Sequence, residues 1–174
     1  MTPRQDSIRE LFLTGLRNAH ALEKQALSIM TPQVTRIENY PEVADRLQLH
    51  IEETKGQIER LDEILDTLGS SGSALKDAGL SMSGSMAAMA HSVAGDEILK
   101  NSFANYAFEH FEIASYRSLL VLAEDGGFTT ATSALQQSLS EEEAMATWIA
   151  DSLPLVTRRY ADLYADQGAS AAKV

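Results

Sequence analysis

Residues 98–127 read ILKNSFANYAFEHFEIASYRSLLVLAEDGG. Ile98, Asn105, Phe108, Glu112, Ser115, Leu119 and Leu122 fall on one face at helical spacing, with no strand-like alternation. Asp125-Gly126-Gly127 stops the pattern, because glycine takes the left-handed conformation that caps a helix. A glutamate, Glu112, lies in the middle of the apolar stripe. A carboxylate there is costly unless it is protonated, paired or bound to a cation.

The same combination recurs outward in both directions. Towards the C-terminus the stripe is Leu135, Leu139, Glu142, Ala146, Ile149, Leu153 and Val156, with Pro154 expected to kink the helix and a weaker pattern running to about Tyr164. At the N-terminus it is Ile8, Phe12, Leu16, Ala19, Glu23, Ala26 and Met30, interrupted or ended by Thr31-Pro32 and Asn39-Tyr40-Pro41. The second stripe is Val43, Leu47, His50, Glu53/Thr54, Gln57, Leu61, Ile64 and Leu68, closed by Gly69-Ser-Ser-Gly72. Residues 69–95 form a Ser/Gly/Met-rich connection in which 84–93 fits a short helix, with Met82, Met86 and Met89 as its apolar side. These methionines and His91 also suggest a soft-metal site, but gap-filling core methionine is the simpler assignment.

Two helical hairpins joined by one long connection predict an all-α, ferritin-like four-helix bundle with a long crossover containing a short extra helix. The bundle domain is expected over 1–166, with 167–174 a flexible C-terminal tail.

Composition narrows function. The chain of 174 residues has 25 acidic and 14 basic side chains, a formal charge of −11. That repels phosphate backbones and anionic membranes, and it suits cations. With no cysteine, disulfides, thiolate chemistry and Fe–S ligation are excluded. No apolar run of signal-peptide or membrane-spanning length occurs, so a cytoplasmic location is expected.

Each of the four stripes carries one glutamate: Glu23, Glu53, Glu112 and Glu142. Glu23 and Glu53 are 30 residues apart about residue 38; Glu112 and Glu142 are 30 apart about Gly127. Residues equidistant from an antiparallel turn share a level, and fifteen helical residues span about 22 Å. All four are therefore expected near mid-bundle. Hard oxygen ligands at that density suit two Fe or Mn ions. The usual Glu-x-x-His is absent, since Gly56 and Met145 follow Glu53 and Glu142 by three. Instead His20, His50 and Glu109 precede a core glutamate by three, on the same face. His50 and Glu109 join the candidate ligands, with a hydrogen-bonded core histidine as the other reading of His50. His20 reads as a packed residue, Gln57 as a weak ligand or supporting donor, Tyr116 as a core or interface aromatic. The Glu141–Glu143 run reads as a solvated face with only Glu142 inward. His110 points away from Glu112.

Ala-Leu-Glu23-Lys-Gln-Ala-Leu, His50-Ile-Glu-Glu53-Thr-Lys-Gly-Gln57-Ile-Glu-Arg-Leu, Glu109-His110-Phe-Glu112-Ile-Ala-Ser-Tyr116 and Leu139-Ser-Glu141-Glu142 resemble the signature segments of the YciE/YciF family of ferritin-like proteins. The resemblance spans residues 6 to about 165. It implies a ferritin-like bundle, a homodimer, a dinuclear metal site and a link to bacterial stress responses. The chain departs from the pattern at Lys55, where some members have histidine, at Ala146, where an acidic residue is common, and at His20, usually tyrosine. These departures predict a site poorer in ligands on the second and fourth helices. Three functions compete: a non-haem di-iron or di-manganese oxidoreductase handling metal, oxygen or peroxide; a dimeric helical module with a degenerate site that acts through a partner; and a cage-forming store.

Overall fold

A computed structural model describes residues 2–70 and 95–174; the short helix expected at 84–93 lies outside the described residues. Helix α1 spans Pro3–Val34. Thr2 caps it, its side chain accepting from the Gln5 N–H while Gln5 Oε1 accepts from the Thr2 N–H at 3.0 Å. The helix runs two residues past Pro32, because one missing N–H costs little so near a helix end. Helix α2 spans Pro41–Thr67 and starts with proline at its first position. Helix α3, Glu97–Gly126, ends on Gly127 at φ +73°. Helix α4, Thr129–Gln167, continues through Pro154 and ends close to the expected limit near Tyr164. A single turn, α5, covers Ala169–Ala172. Among the described residues there is no strand.

Two apolar clusters show how the helices run. One joins Phe12 and Leu16 of α1, Leu61 and Leu65 of α2, Leu119 and Ala123 of α3, and Ala131 and Leu135 of α4. The other joins Ala26 and Met30, Val43 and Leu47, Ile98 and Phe108, and Ile149 and Val156. So α1 and α4 point one way while α2 and α3 point the other. The chain leaves α2 at the first end and begins α3 at the second, so α2 and α3 run parallel. That is the helix order a crossover bundle requires. Each main helix packs on two antiparallel neighbours, α1 on α2 and α3, and α4 on the same two. At Gly15 the α1 and α3 surfaces nearly touch: an added Cβ would lie 2.8 Å from Leu119 Cδ2.

The tail expected to fray is folded back on the second end of the bundle. Asn39 N–H donates to Val174 O at 3.1 Å and Ile98 N–H to Lys173 O at 3.0 Å. Tyr40 Oη–H donates to Ala172 O at 2.6 Å, and Ala172 is fully buried. The composition is that of a tail, but the backbone finds partners that its small side chains do not advertise. No helix among the described residues is long and apolar enough to cross a membrane.

Candidate metal centre

Between the two apolar clusters lies a polar layer. Glu23, His50, Thr54, Gln57, Glu109, Glu112, Ser138 and Glu142 are all buried. Glu23, Glu112 and Glu142 lie in this layer as expected, whereas Glu53 on α2 does not.

His50, Glu109 and Glu142 form the tightest group, with one ligand atom from each within 4.8 Å of the others. His50 Nε2 lies 3.1 Å from Glu109 Oε2 and 3.6 Å from Glu142 Oε2, near enough for ion pairs. Both oxygens lack a well-formed hydrogen bond. Glu142 is held through its other oxygen by the Gln57 amide. Gln57 also donates to Glu141 at 3.1 Å, and Arg60 pairs with Glu141 and reaches Ser138 Oγ at 3.1 Å. Glu141, expected on a solvated face, is therefore half-buried within this network. On α1, Glu23 accepts from Tyr116 Oη–H at 2.5 Å and leaves Oε2 unpaired, while neither oxygen of Glu112 has a partner.

Glu53 is the residue whose orientation differs. Its side chain is 24% exposed and turned to the rim, where Oε2 sits 2.8 Å from His50 Nδ1 and 3.0 Å from Arg46 Nη1. Thr54 is fully buried in its stead, its hydroxyl donating to His50 O at 2.9 Å. The physical reason is angular. The α2 stripe at three- and four-residue steps through Leu47, His50, Thr54, Gln57 and Leu61 leaves Glu53 about 100° away from Thr54. His20 is buried against Asp62 at 3.0 Å, and His110 is exposed, its ring edge-on to Tyr106. Lys55 is exposed on Glu52, and Ala146 is a core residue.

The electrostatics follow from this crowding. Burial first, then the charges of Glu23 and Glu109, drive the Glu112 carboxyl well above the usual range. Burial and Glu112, Glu109 and Glu23 do the same to Glu142. Burial pushes Glu23 up to about 8 against the opposing Tyr116 hydrogen bond and His50 charge. For His50, burial works downward, but the Glu109 and Glu53 carboxylates outweigh it and hold the imidazole at about 9. Glu53 falls below its ordinary value: partial burial opposes this, but His50 and Arg46 win. Burial also lowers His20, with Asp62 acting against it.

Five carboxylate oxygens of Glu23, Glu109, Glu112 and Glu142 thus face a buried layer without a well-formed hydrogen bond, those of Glu109 and Glu142 meeting only the His50 ring. Unpaired buried anions demand a proton or a cation. One imidazole nitrogen and several carboxylates are the donor set of a divalent transition metal. The residues fit a metal, and Glu23, His50, Glu109, Glu112 and Glu142 would hold it. Sequence reasoning missed the Tyr116–Glu23 contact; its signal was Tyr116 lying four residues after Glu112, on the same face.

An antiparallel four-helix bundle with a crossover and a buried carboxylate–histidine layer defines the class. Within it, this chain belongs to the family described as "Domain of unknown function (DUF892)", whose model matches residues 7–162. It is 31% identical to the protein YciF of Escherichia coli over 148 residues, 79% of this chain and 85% of that one. A crystal structure of a Xanthomonas campestris protein, 30% identical, superposes with a TM-score of 0.75, covering 89% of this chain and 96% of the other. The crystal structure of the E. coli stress protein YciF, 26% identical, gives a TM-score of 0.69 over 84% and 94%. The expected family and fold are therefore those found.

Proposed function

We propose that this protein binds two Fe or Mn ions in its buried carboxylate layer and serves in handling metal, oxygen or peroxide under stress. One observation carries the reading: His50, Glu109 and Glu142 converge in a buried layer in which five carboxylate oxygens from three helices lack a hydrogen bond. The His50, Glu109 and Glu142 group supplies one position, and Glu23 and Glu112, with three unpaired oxygens between them, supply the second. A bound divalent ion would supply Lewis acidity and, for Fe or Mn, a one-electron change.

The chain's own contribution is fourfold. Glu109 and Glu142 counter cationic charge. Gln57 orients Glu142, and Tyr116 orients Glu23. The apolar clusters on either side exclude water from the layer. The stress role follows the description of the E. coli relative, and a homodimer follows the family resemblance.

A second reading, a helical partner-binding module with a degenerate site, is favoured by Glu53 facing the rim and by Gln57 and Tyr116 already occupying one oxygen each of Glu142 and Glu23. Elemental mass spectrometry separates the two. Protein reconstituted anaerobically with Fe(II) or Mn(II) should hold close to two ions per chain, lost in Glu112→Ala, Glu142→Ala. Equal, low metal in both proteins would sink the metal reading and leave the module.

A further inference from the structure

The odd placement of Glu53 has a use. Its one oxygen, Oε2, takes both short contacts, 2.8 Å to His50 Nδ1 and 3.0 Å to Arg46 Nη1. We infer that Glu53 is a positioning residue, held by Arg46, which fixes the His50 ring so that Nε2 faces Glu109 and Glu142. The inference rests on the metal reading above and gives it a residue it lacked.

A neutral imidazole carries one proton, and the partner of one ring nitrogen decides which nitrogen keeps a lone pair. To receive a cation the ring would give up its Nε2 proton; with the other kept on Nδ1 and donated to Glu53, the lone pair falls on Nε2, the nitrogen that lies between the two core carboxylates. A ring rotated by half a turn would put carbon where the ligand nitrogen should be. The carboxylate on Nδ1 removes that alternative, as carboxylates behind metal-bound histidines generally do. Two further contacts lock the frame. The Thr54 hydroxyl donates to the His50 carbonyl at 2.9 Å, pinning the turn that carries the ring. The Arg46 side chain is only 12% exposed and its charge offsets that of Glu53, so the support adds no net negative charge to a layer already crowded with it. Glu53 itself faces the rim, whereas Glu109 and Glu142 are buried within the layer at 3% and 0% exposure. It is thus placed behind the histidine and out of reach of the ions.

The test compares Glu53→Ala, Glu53→Gln and the control His50→Ala. Zn(II) titration reads stoichiometry and affinity; nitrogen-15 NMR of labelled histidine reads the Nδ1 proton in the zinc-loaded and the metal-free protein. Glu53→Ala should keep the wild-type number of ions, weaken binding about 10–100-fold, and lose the protected Nδ1 proton. Glu53→Gln keeps an acceptor oxygen and should restore that proton and most of the affinity. A merely structural role would not move the proton signal. Loss of an ion in Glu53→Ala, as in His50→Ala, would make Glu53 a ligand and overturn the inference. So would an Nδ1 proton unchanged in Glu53→Ala. Should wild type bind no zinc while the Nδ1 proton of the metal-free protein loses its protection from exchange in Glu53→Ala, the metal reading fails and the positioning contact stands.

Discussion

Raising the pH should loosen the metal-free bundle well before any ordinary surface group titrates. Glu23 is nearly fully buried and its carboxyl titrates at about 8 in place of 4.5. A group whose folded pKa exceeds its unfolded pKa adds stability that is complete below the unfolded value and is lost as pH rises through the folded one. For Glu23 that window runs from 4.5 to about 8; for His50, held at about 9 in place of 6.5, it begins later and ends higher. Between pH 5 and pH 7.5 the Glu23 linkage alone removes about 3 kcal/mol, and His50 adds about 1 kcal/mol in the same direction. Glu112 and Glu142 are raised too and push the same way. Glu53 has the opposite sign, but its loss falls below 4.5, outside this range.

The assay is thermal or urea unfolding of chelator-treated protein at the two pH values, followed by circular dichroism. For a chain of this size about 3 kcal/mol corresponds to roughly 6–12 °C in Tm, lower at pH 7.5. Added metal should flatten or reverse the slope, because the cation replaces the protons and binds better as they leave. A metal-free protein equally stable at both values, or more stable at pH 7.5, would refute the reasoning. It would mean that the carboxylates are hydrated or neutralised by something other than protons.

Three further outcomes are expected. Glu112→Gln, which removes a buried ionisable carboxyl with no partner on either oxygen, should make the metal-free protein lose less stability between pH 5 and pH 7.5, by about 1–3 kcal/mol in urea titration, while weakening metal uptake. Gly127→Ala forces a side chain into φ +73° and should cost about 1–2 kcal/mol by the same assay, with metal content unchanged. Deleting residues 169–174 removes five hydrogen bonds, three donated by Asn39 and one each by Tyr40 and Ile98; at about 1 kcal/mol each it should lower stability by about 3–5 kcal/mol, read as a drop in Tm.

The fold was readable because it depends on coarse signals. Four stripes at helical spacing need no knowledge of partners, and the length of the 69–95 connection alone demanded a crossover. The tail was not readable. Its Ala-Ser-Ala-Ala composition says nothing about binding, since it is the backbone carbonyls of Ala171, Ala172, Lys173 and Val174 that dock. The sequence shows Asn39 and Tyr40 as turn residues, and only the folded chain brings Ala171 and Ala172, more than 130 positions away, under their side chains.

The candidate site divides between level and angle. Counting residues from a turn fixes height along a bundle, and an error of one residue moves a side chain only about 1.5 Å. The same error turns it about 100° around the helix. That is why Glu23, Glu112 and Glu142 lie in the buried layer at the expected height, while Glu53, one position from Thr54, is at the right height and on the wrong side. The charges beside it mark the difference: Arg46, His50, Glu53, Gln57 and Arg60 recur at three and four along one edge of α2, a polar line beside the apolar one. A glutamate flanked at helical spacing by arginines has cations of its own. A glutamate flanked by leucine and alanine, as Glu23 is, has none and must obtain a proton or a metal. The neighbours of each carboxylate along its own face therefore separate the rim residue from the buried carboxylates, which spacing from the turn does not.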